Sequence, residues 1–166
     1  LYCEGGFKRL MNEGFDCENT MINYIPAITA VGHTSIYTGA VPSIHGIQAN
    51  NFLLNGKMTY CTADSTVSGV GTDSKAGQMS PRNMLTTTIG DELKVATNFK
   101  SRVFGVSIKD RAAILPAGHA ADAAYWIDSK QSKFITSNYY MKQLPTWVEK
   151  YNKKISKYTS DQISYS

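Results

Sequence analysis

The apolar run "RVFGVSIKD" at residues 102–110 constrains the fold of this 166-residue chain more than any other segment. Nearly continuous hydrophobicity over so short a stretch is typical of a strand buried on both faces of a parallel sheet. Segments with helical patterns lie on both sides of it, and strands that alternate with helices favour layered folds. We therefore expect an α/β fold with a mainly parallel sheet flanked by helices.

Two later segments carry the clearest helical signals. "SPRNMLTTTIGDELKVAT" at residues 80–97 has Ser80 as N-cap, Pro81 as the first helical residue and an apolar stripe. "SNYYMKQLPTWVEKYNKK" at residues 137–154 is predicted to form the last helix, which Pro145 either breaks or starts. The members of the apolar stripe are Met84, Leu85, Ile89 and Leu93.

Shorter elements are predicted on either side of these helices. "GGFKRLMNEG" at residues 5–14 has apolar residues at helical spacing and ends at Gly14, a favourable residue after a helix. "FDCENTMINYIP" at residues 15–26 alternates in polarity, which indicates a strand that runs into a loop. "AAYWID" at residues 123–128 is a second short strand candidate.

Composition indicates one soluble globular domain. Hydrophobic residues make up 42% of the chain and charged residues 18%. No apolar run approaches the roughly 18 residues of a membrane span. The net charge of +4 comes largely from a C-terminal lysine cluster, which we interpret as a solvated helix face and not as a nucleic-acid surface. Residues 55–79 are rich in Gly, Ser and Thr, and form a surface excursion with room for a hairpin.

Neither the cysteines nor the histidines form a metal-binding pattern. The three cysteines have no CxxC pair and are interpreted as free, mostly buried thiols, although a Cys3–Cys17 or Cys17–Cys61 bridge stays open. The three histidines each lie beside a glycine and show no ligand spacing, so a structural role is favoured. These histidines are His33, His45 and His119.

Thr29 can be interpreted in two ways. It precedes a helix of about two turns, residues 30–39, that Gly39 and Pro42 end. A threonine there is usually an N-cap. The helix N-terminus also favours an anion, so the hydroxyl could be a nucleophile if a base or a metal lowers its pKa.

Lys109 and Arg111 stand two residues apart in "SIKDR". If the strand continues that far, both side chains project to the same side and can clamp a dianionic oxyanion. The alternative is a solvated strand end that Asp110 partly neutralises. Asn50 in "QANNF" is either a turn residue or an amide donor to a ligand.

Two longer stretches carry a family resemblance. "IPAITAVGHTSIYTGAVPSIHGIQAN" at residues 25–50 resembles the nucleophile segment of the type I phosphodiesterase/nucleotide pyrophosphatase family, within the alkaline phosphatase superfamily. "SIKDRAAILPAGHAADAAYW" at residues 107–126 is similar to its phosphate-irrepressible alkaline phosphatases. The resemblance runs from about Gly5 to "LPTWVEKYN". It implies a partial alkaline-phosphatase-like fold, with residues 1–166 as one fragment of the catalytic domain.

The resemblance also implies roles for four residues. Thr29 would be the nucleophile, bind one zinc ion and form a phosphothreonine. Asn50 would donate to a non-bridging phosphate oxygen. Lys109 and Arg111 would be the basic pair that distinguishes monoesterases from diesterases. The expected activity is that of a zinc-dependent phosphomonoesterase, with small phosphate monoesters as substrates and inorganic phosphate as a product.

The remaining zinc ligands would lie outside this chain. We therefore expect the full protein to hold two zinc ions, and this fragment to bind none and to be inactive, because one hydroxyl is too few ligands. The other part of the same polypeptide would be its partner. The chain starts at Leu1 without a signal region, which predicts a piece of a longer protein or a processed form. Members of the family carry a signal peptide, so the resemblance implies a periplasmic or secreted location. A phosphodiesterase or nucleotide pyrophosphatase, or a non-catalytic phosphate-binding remnant, is the alternative.

Overall fold

The structure of the chain, a computed structural model, describes residues 5–163 and the side chains of residues 5–155. Helices and strands alternate along much of it. The helices are α1 Phe7–Glu13, α2 Thr29–Thr38, α3 Pro42–His45, α4 Ile89–Ala96, α5 Asp110–Ala117 and α6 Thr146–Ile163. The strands are β1 Asn51–Leu54, β2 Lys57–Tyr60, β3 Gly69–Val70, β4 Phe104–Val106, β5 Ala123–Asp128 and β6 Lys133–Ser137.

The larger sheet has four strands in the order β3-β6-β5-β4. β4 runs parallel to β5, with Phe104 opposite Ala123, whereas β6 is antiparallel to both β5 and β3. β1 and β2 form a separate antiparallel hairpin. The predicted α/β fold with sheets flanked by helices is confirmed. The expectation of a mainly parallel sheet is wrong for the described residues, where only β4 and β5 pair in parallel; β6 follows β5 after a short turn, which permits only antiparallel pairing.

Strand β5 separates two layers of side chains. Ala124 and Trp126 pack with Ile114 of α5, while Tyr125, one residue away, packs with Val148 of α6. Successive residues of a strand point to opposite faces. Helices α5 and α6 therefore cover opposite faces of the sheet, and β5 is its most completely buried strand.

Strand β4 lies at the edge of this sheet within the described part of the chain. Phe104 and Val106 are 59% and 62% exposed. The expectation that this apolar run is buried on both faces is therefore wrong for the structure described. The physical reason is that Phe104 and Val106 project to the face of β4 that is opposite α5, and no described residue covers that face fully. Gly105, between them, is buried against α5.

A second core joins the helices to the hairpin. Ala30 of α2, Leu115 of α5 and Phe52 of β1 belong to one buried cluster. Asn55 and Gly56 form the turn between β1 and β2, both with positive φ (50° and 76°), which is the conformation of a tight hairpin turn. The predicted hairpin therefore exists, but it begins at Asn51, four residues before the surface excursion predicted for residues 55–79.

Two sequence predictions are wrong: the strand after α1 and the first residue of α4. Residues 15–28 contain no strand; their alternation of polarity has no partner strand, and Phe15 is 93% exposed. The helix predicted from Ser80 begins at Ile89. The Ser80 hydroxyl donates to buried Asp64 and accepts from the Arg82 N–H, but it caps only a turn. A capping box instead starts α4, in which the Thr88 hydroxyl accepts from the backbone N–H of Asp91.

Other boundaries agree with the sequence. α1 ends before Gly14, α2 ends at Gly39 in the left-handed conformation (φ 66°), and α6 begins directly after Pro145. The described lysines of the C-terminal cluster are exposed, as predicted: Lys142, Lys150, Lys153 and Lys154. Lys157 lies outside the described side chains. Among the described helices, none combines the length and apolar character needed to cross a membrane.

Candidate active site

Thr29 is the first residue of α2, and Ile28 occupies the N-cap position. Ile28 has extended backbone angles (φ −116°, ψ 168°) and cannot cap through a side chain. The interpretation of Thr29 as the N-cap is therefore wrong by one residue. Thr29 is exposed, and no hydrogen bond engages its hydroxyl within the described residues. Its hydroxyl is left available at a helix N-terminus, where partial positive charge favours an anion.

Asn50 supplies the cap that Ile28 lacks. Its Oδ1 accepts a hydrogen bond from the backbone N–H of Ala30 at 3.1 Å. With the amide oxygen turned to the helix, the Nδ2 group keeps both hydrogens for a ligand. The main-chain oxygen of Asn50 accepts from the N–H of Cys61 at 2.9 Å, which fixes Asn50 at the end of the hairpin. Thr29 and Asn50 are thus brought together as predicted from the sequence.

Lys109 and Arg111 lie at the start of α5, not on a strand. β4 ends at Val106, Lys109 is the N-cap of α5, and Arg111 is in its first turn. The expectation that the two side chains project from one strand is therefore wrong. Their shared location is a helix N-terminus, whose free N–H groups add to the positive potential of the two cations.

The first turn of α5 is held by hydroxyls from the hairpin segment. Arg111 donates from Nη1 to the phenol oxygen of Tyr60 at 2.8 Å. Tyr60 donates in turn to Asp110 Oδ1 at 3.0 Å, and the buried Thr62 hydroxyl donates to Asp110 Oδ2. In the described residues Asp110 forms no direct ion pair with Lys109 or Arg111, but its charge helps to raise the pKa of Arg111. Asp110 therefore acts on the basic pair through its charge and not through a direct contact.

The electrostatics of this turn favour a protonated phenol and a charged guanidinium. Burial, reinforced by the nearby Asp110 carboxylate, raises the pKa of Tyr60 far above its usual range. Burial is the largest single influence on Arg111 and lowers its pKa, but the hydrogen bond to Tyr60 and the negative charges of nearby groups, Asp110 among them, together outweigh it, so the net shift is upward. The Nε atom of Arg111 is buried without a hydrogen-bond partner, and the guanidinium keeps unused donors.

Sequence reasoning missed Tyr60 and Thr62. Both belong to the segment that composition marked only as a surface excursion. The signal that could have found them is register: with a turn at Asn55–Gly56, residue 60 pairs with residue 51, next to Asn50. No hydrogen bond runs directly from Thr29 or Asn50 to Lys109 or Arg111 in the part of the chain described, and the hairpin connects the two halves.

His45 is a structural histidine, as predicted. Its Nδ1 accepts from the backbone N–H of Ile47 at 3.1 Å, so the ring proton resides on Nε2, which lies 3.0 Å from the Ser35 hydroxyl. Burial lowers the pKa of His45 and favours this neutral form. At His119 the backbone N–H donates to Asp91 and the carbonyl oxygen accepts from Tyr139.

The described residues by themselves do not fit a zinc centre. They contain no group of three or more His, Cys, Asp or Glu side chains that could hold a metal ion. Cys17 and Cys61 are free, which excludes the bridge between them; Cys17 is exposed, against expectation, and Cys3 lies outside the described residues. Burial raises the pKa of Cys61 to about 12.

Comparison with known proteins identifies relatives that match most of this chain. The family model described as type I phosphodiesterase/nucleotide pyrophosphatase matches residues 4–164. Over 92% of this chain, identity is 57% to a protein of Myroides odoratus named calcium-transporting ATPase and 56% to alkaline phosphatase PafA of Elizabethkingia meningoseptica. Alkaline phosphatase PhoV of Synechococcus elongatus is 57% identical over 91% of the chain. The chain spans only 28–29% of the length of these relatives.

Solved structures agree with the sequence matches. The crystal structure of wild-type PafA superposes on this chain with a TM-score of 0.88 at 56% identity, covering 92% of this chain and 30% of PafA. A mutant of PafA also matches, with a TM-score of 0.87 over the same shares. That mutant carries replacements of one threonine, one asparagine, one lysine and one arginine.

Proposed function

Because the chain belongs to the type I phosphodiesterase/nucleotide pyrophosphatase family, we propose that it is the nucleophile-bearing part of a zinc-dependent phosphomonoesterase. This alkaline phosphatase would act through a phosphothreonine intermediate. The observation that carries the proposal is the pairing of an unengaged threonine at the start of α2 with an asparagine amide fixed beside it. The names of PafA and PhoV support the same activity.

Thr29 is the proposed nucleophile. Its hydroxyl oxygen would attack phosphorus while the bond to the leaving alcohol breaks, and water would later release inorganic phosphate. The N-terminus of α2 places backbone N–H groups and partial positive charge beside the phosphoryl oxygens. Asn50 would donate from Nδ2 to one of those oxygens, because its Oδ1 is already committed to Ala30.

Lys109 and Arg111 are the proposed clamp for a phosphate monoester. A monoester carries two negative charges on its terminal phosphoryl group, and its loose transition state spreads charge over the equatorial oxygens. Two cations at one helix N-terminus suit that charge distribution. A diester has one of these oxygens blocked by its second substituent, so the clamp would favour monoesters.

Zinc is proposed for the complete protein, where it would lower the pKa of the Thr29 hydroxyl and stabilise charge on the leaving oxygen. This chain spans less than a third of its curated relatives, and its described residues offer the metal only Thr29. We therefore propose that the isolated fragment is inactive. Relatives named alkaline phosphatases support a periplasmic or secreted location.

The test compares two substrates on the full-length protein that contains this chain. Rates on an aryl phosphate monoester and on its methyl diester are measured for wild type, Lys109→Ala and Arg111→Ala. We expect the monoester to be favoured, and each substitution to reduce kcat/KM for the monoester far more than for the diester. Acid-quenched enzyme should carry phosphate on the peptide containing Thr29, and Thr29→Ala should remove both label and activity.

The family description itself motivates the second candidate, a phosphodiesterase or nucleotide pyrophosphatase. In that case the wild-type protein would hydrolyse the diester faster, and the two clamp substitutions would reduce both rates equally. Bound phosphate without turnover of either substrate, in the metal-loaded protein, would instead indicate a non-catalytic phosphate-binding remnant.

A further inference from the structure

The phenol of Tyr60 lies between two charged residues at the start of α5. It accepts from Arg111 Nη1 at 2.8 Å and donates to Asp110 Oδ1 at 3.0 Å. A phenol has one donor and two acceptor positions, so both bonds form together. A guanidinium on a flexible side chain is thereby given a fixed orientation relative to the helix that bears it.

The hairpin ties this phenol to the nucleophile. Tyr60 is the last residue of β2, and the next N–H, that of Cys61, donates to the main-chain oxygen of Asn50. The side chain of Asn50 in turn caps the helix that begins with Thr29, through Ala30. One short segment therefore sets the position of the guanidinium relative to the attacking hydroxyl.

Thr62 completes the support from the same segment. Its buried hydroxyl donates to the second oxygen of Asp110, so both carboxylate oxygens are occupied by hydroxyls. Among the described residues this carboxylate forms no direct ion pair with Arg111, although its charge helps to raise the pKa of the guanidinium. The charge of Arg111 then stays available for an anion, and its Nε atom is buried without a partner in the described residues.

We propose that Tyr60 is a positioning residue that aims Arg111 at the phosphoryl oxygens, and so sets the preference of the site for monoesters over diesters. This rests on the proposed function of Thr29, Asn50, Lys109 and Arg111. Tyr60 acts through the guanidinium and does not itself touch the substrate. Its phenol stays protonated under alkaline conditions, since burial and the Asp110 carboxylate raise its pKa.

A role in packing alone would have different consequences. Tyr60 is half-buried and packs against the cluster that contains Ala30 and Leu115. If it served only to fill that space, its substitution would disturb both halves of the site and would affect all substrates alike. Substrate selectivity and coupling to Arg111 therefore separate positioning from packing.

The experiment uses the full-length metal-loaded protein and the variant Tyr60→Phe, which removes only the hydroxyl. We expect kcat/KM for an aryl phosphate monoester to fall about tenfold, the effect of losing one hydrogen bond to a charged group. The rate on the methyl diester should change less than about twofold. In an Arg111→Ala background, Tyr60→Phe should have no further effect on the monoester. The control Tyr139→Phe, which removes a hydroxyl bonded to the His119 carbonyl oxygen, should change neither rate.

Equal losses on both substrates, or a Tyr60→Phe effect that adds fully to that of Arg111→Ala, would overturn the proposal. If Tyr60→Phe does not fold, Thr62→Val is measured in its place, because it frees Asp110 to pair with Arg111. This variant should also reduce kcat/KM for the monoester more than for the diester. An equal loss on both substrates would overturn the proposal. The proposed function is refuted by a different result, namely an Arg111→Ala variant that loses kcat/KM equally on the monoester and the diester. A selective Arg111→Ala with an unselective Tyr60→Phe refutes only the role of Tyr60.

Discussion

Gly105 offers the sharpest test of how the fold places the basic pair. It is buried in β4 directly beneath α5. A Cβ atom added there would overlap the Ala113 carbonyl oxygen, and would lie 2.9 Å from the Ala113 carbonyl carbon and 3.0 Å from the Ala117 Cβ. Carbon atoms in contact normally stand about 3.5–4.0 Å apart. Because two of these three neighbours are helix backbone, α5 must move away from the sheet by about 1 Å.

Two consequences follow for Gly105→Ala. Overpacking of this kind typically costs about 1–3 kcal/mol, and a backbone clash places this variant near the upper figure, about 3 kcal/mol less stable. A 1 Å displacement of a reacting group can reduce the rate about 100-fold. Since Lys109 and Arg111 begin the displaced helix, kcat/KM for a phosphate monoester should fall by roughly that factor.

The assay is guanidinium unfolding of the full-length protein, combined with monoester kinetics at a temperature where the variant is folded. Gly5→Ala is the matched control, because nothing lies within 4 Å of a Cβ at that position. A Gly105→Ala protein within about 0.5 kcal/mol of wild type, with an unchanged rate, would refute the close contact between β4 and α5 and the argument built on it.

Three further effects on stability follow from buried polar groups. Burial lowers the pKa of His45, so its contribution to the free energy of unfolding should be full above the unfolded-state pKa near 6.5. That contribution should decline as the pH falls below this value, by at most about 1.4 kcal/mol per pH unit. Urea unfolding measured from pH 5 to 8 should lose this dependence in His45→Gln. Asp122→Asn leaves the Lys94 ammonium, 7% exposed, without the carboxylate that lies 2.7 Å away, and should lower the free energy of unfolding by about 3 kcal/mol. Glu13→Gln, in an exposed ion pair, is the control and should lower it by less than about 0.5 kcal/mol. Thr88→Val removes the cap of α4 and should cost about 1 kcal/mol; a calorimetric comparison with wild type that shows no loss would contradict the capping box.

The elements that the sequence predicted well are those with local signals. Gly39 ends α2 because a residue without a side chain adopts the left-handed conformation at little cost. Pro145 stands directly before α6 because its missing N–H is tolerated at the start of a helix but not in its interior. The strand at residues 123–128 was recognised from its apolar run and is buried. The candidate residues Thr29 and Asn50 were named correctly as neighbours through the family resemblance, and their catalytic roles stay predictions.

The errors in the bounds of helices and strands arose where contacts with other segments overrode a local sequence pattern. Ser80 had a helix-capping signature, and its hydroxyl does accept from the Arg82 N–H, but it caps only a turn while it also donates to Asp64 of another segment, and the helix begins at Ile89. The run at residues 102–110 was expected to be strand as far as the basic pair, yet the helix began at Asp110. Local patterns state what a segment can form, and the nearest tertiary partner selects among those options.

By itself, the sequence determined the α/β fold, the helix that Thr29 begins, and the family whose motifs contain Asn50 and the basic pair. Only the tertiary structure showed that Asn50 caps the Thr29 helix, and that Tyr60 fixes Arg111 across 51 residues of chain. The physical reason is the separation along the chain of the residues that interact. Helix ends and turns depend on a few adjacent residues, whereas hydrogen bonds between distant side chains depend on the hairpin register and the packing of α2 on α5, which no local pattern contains.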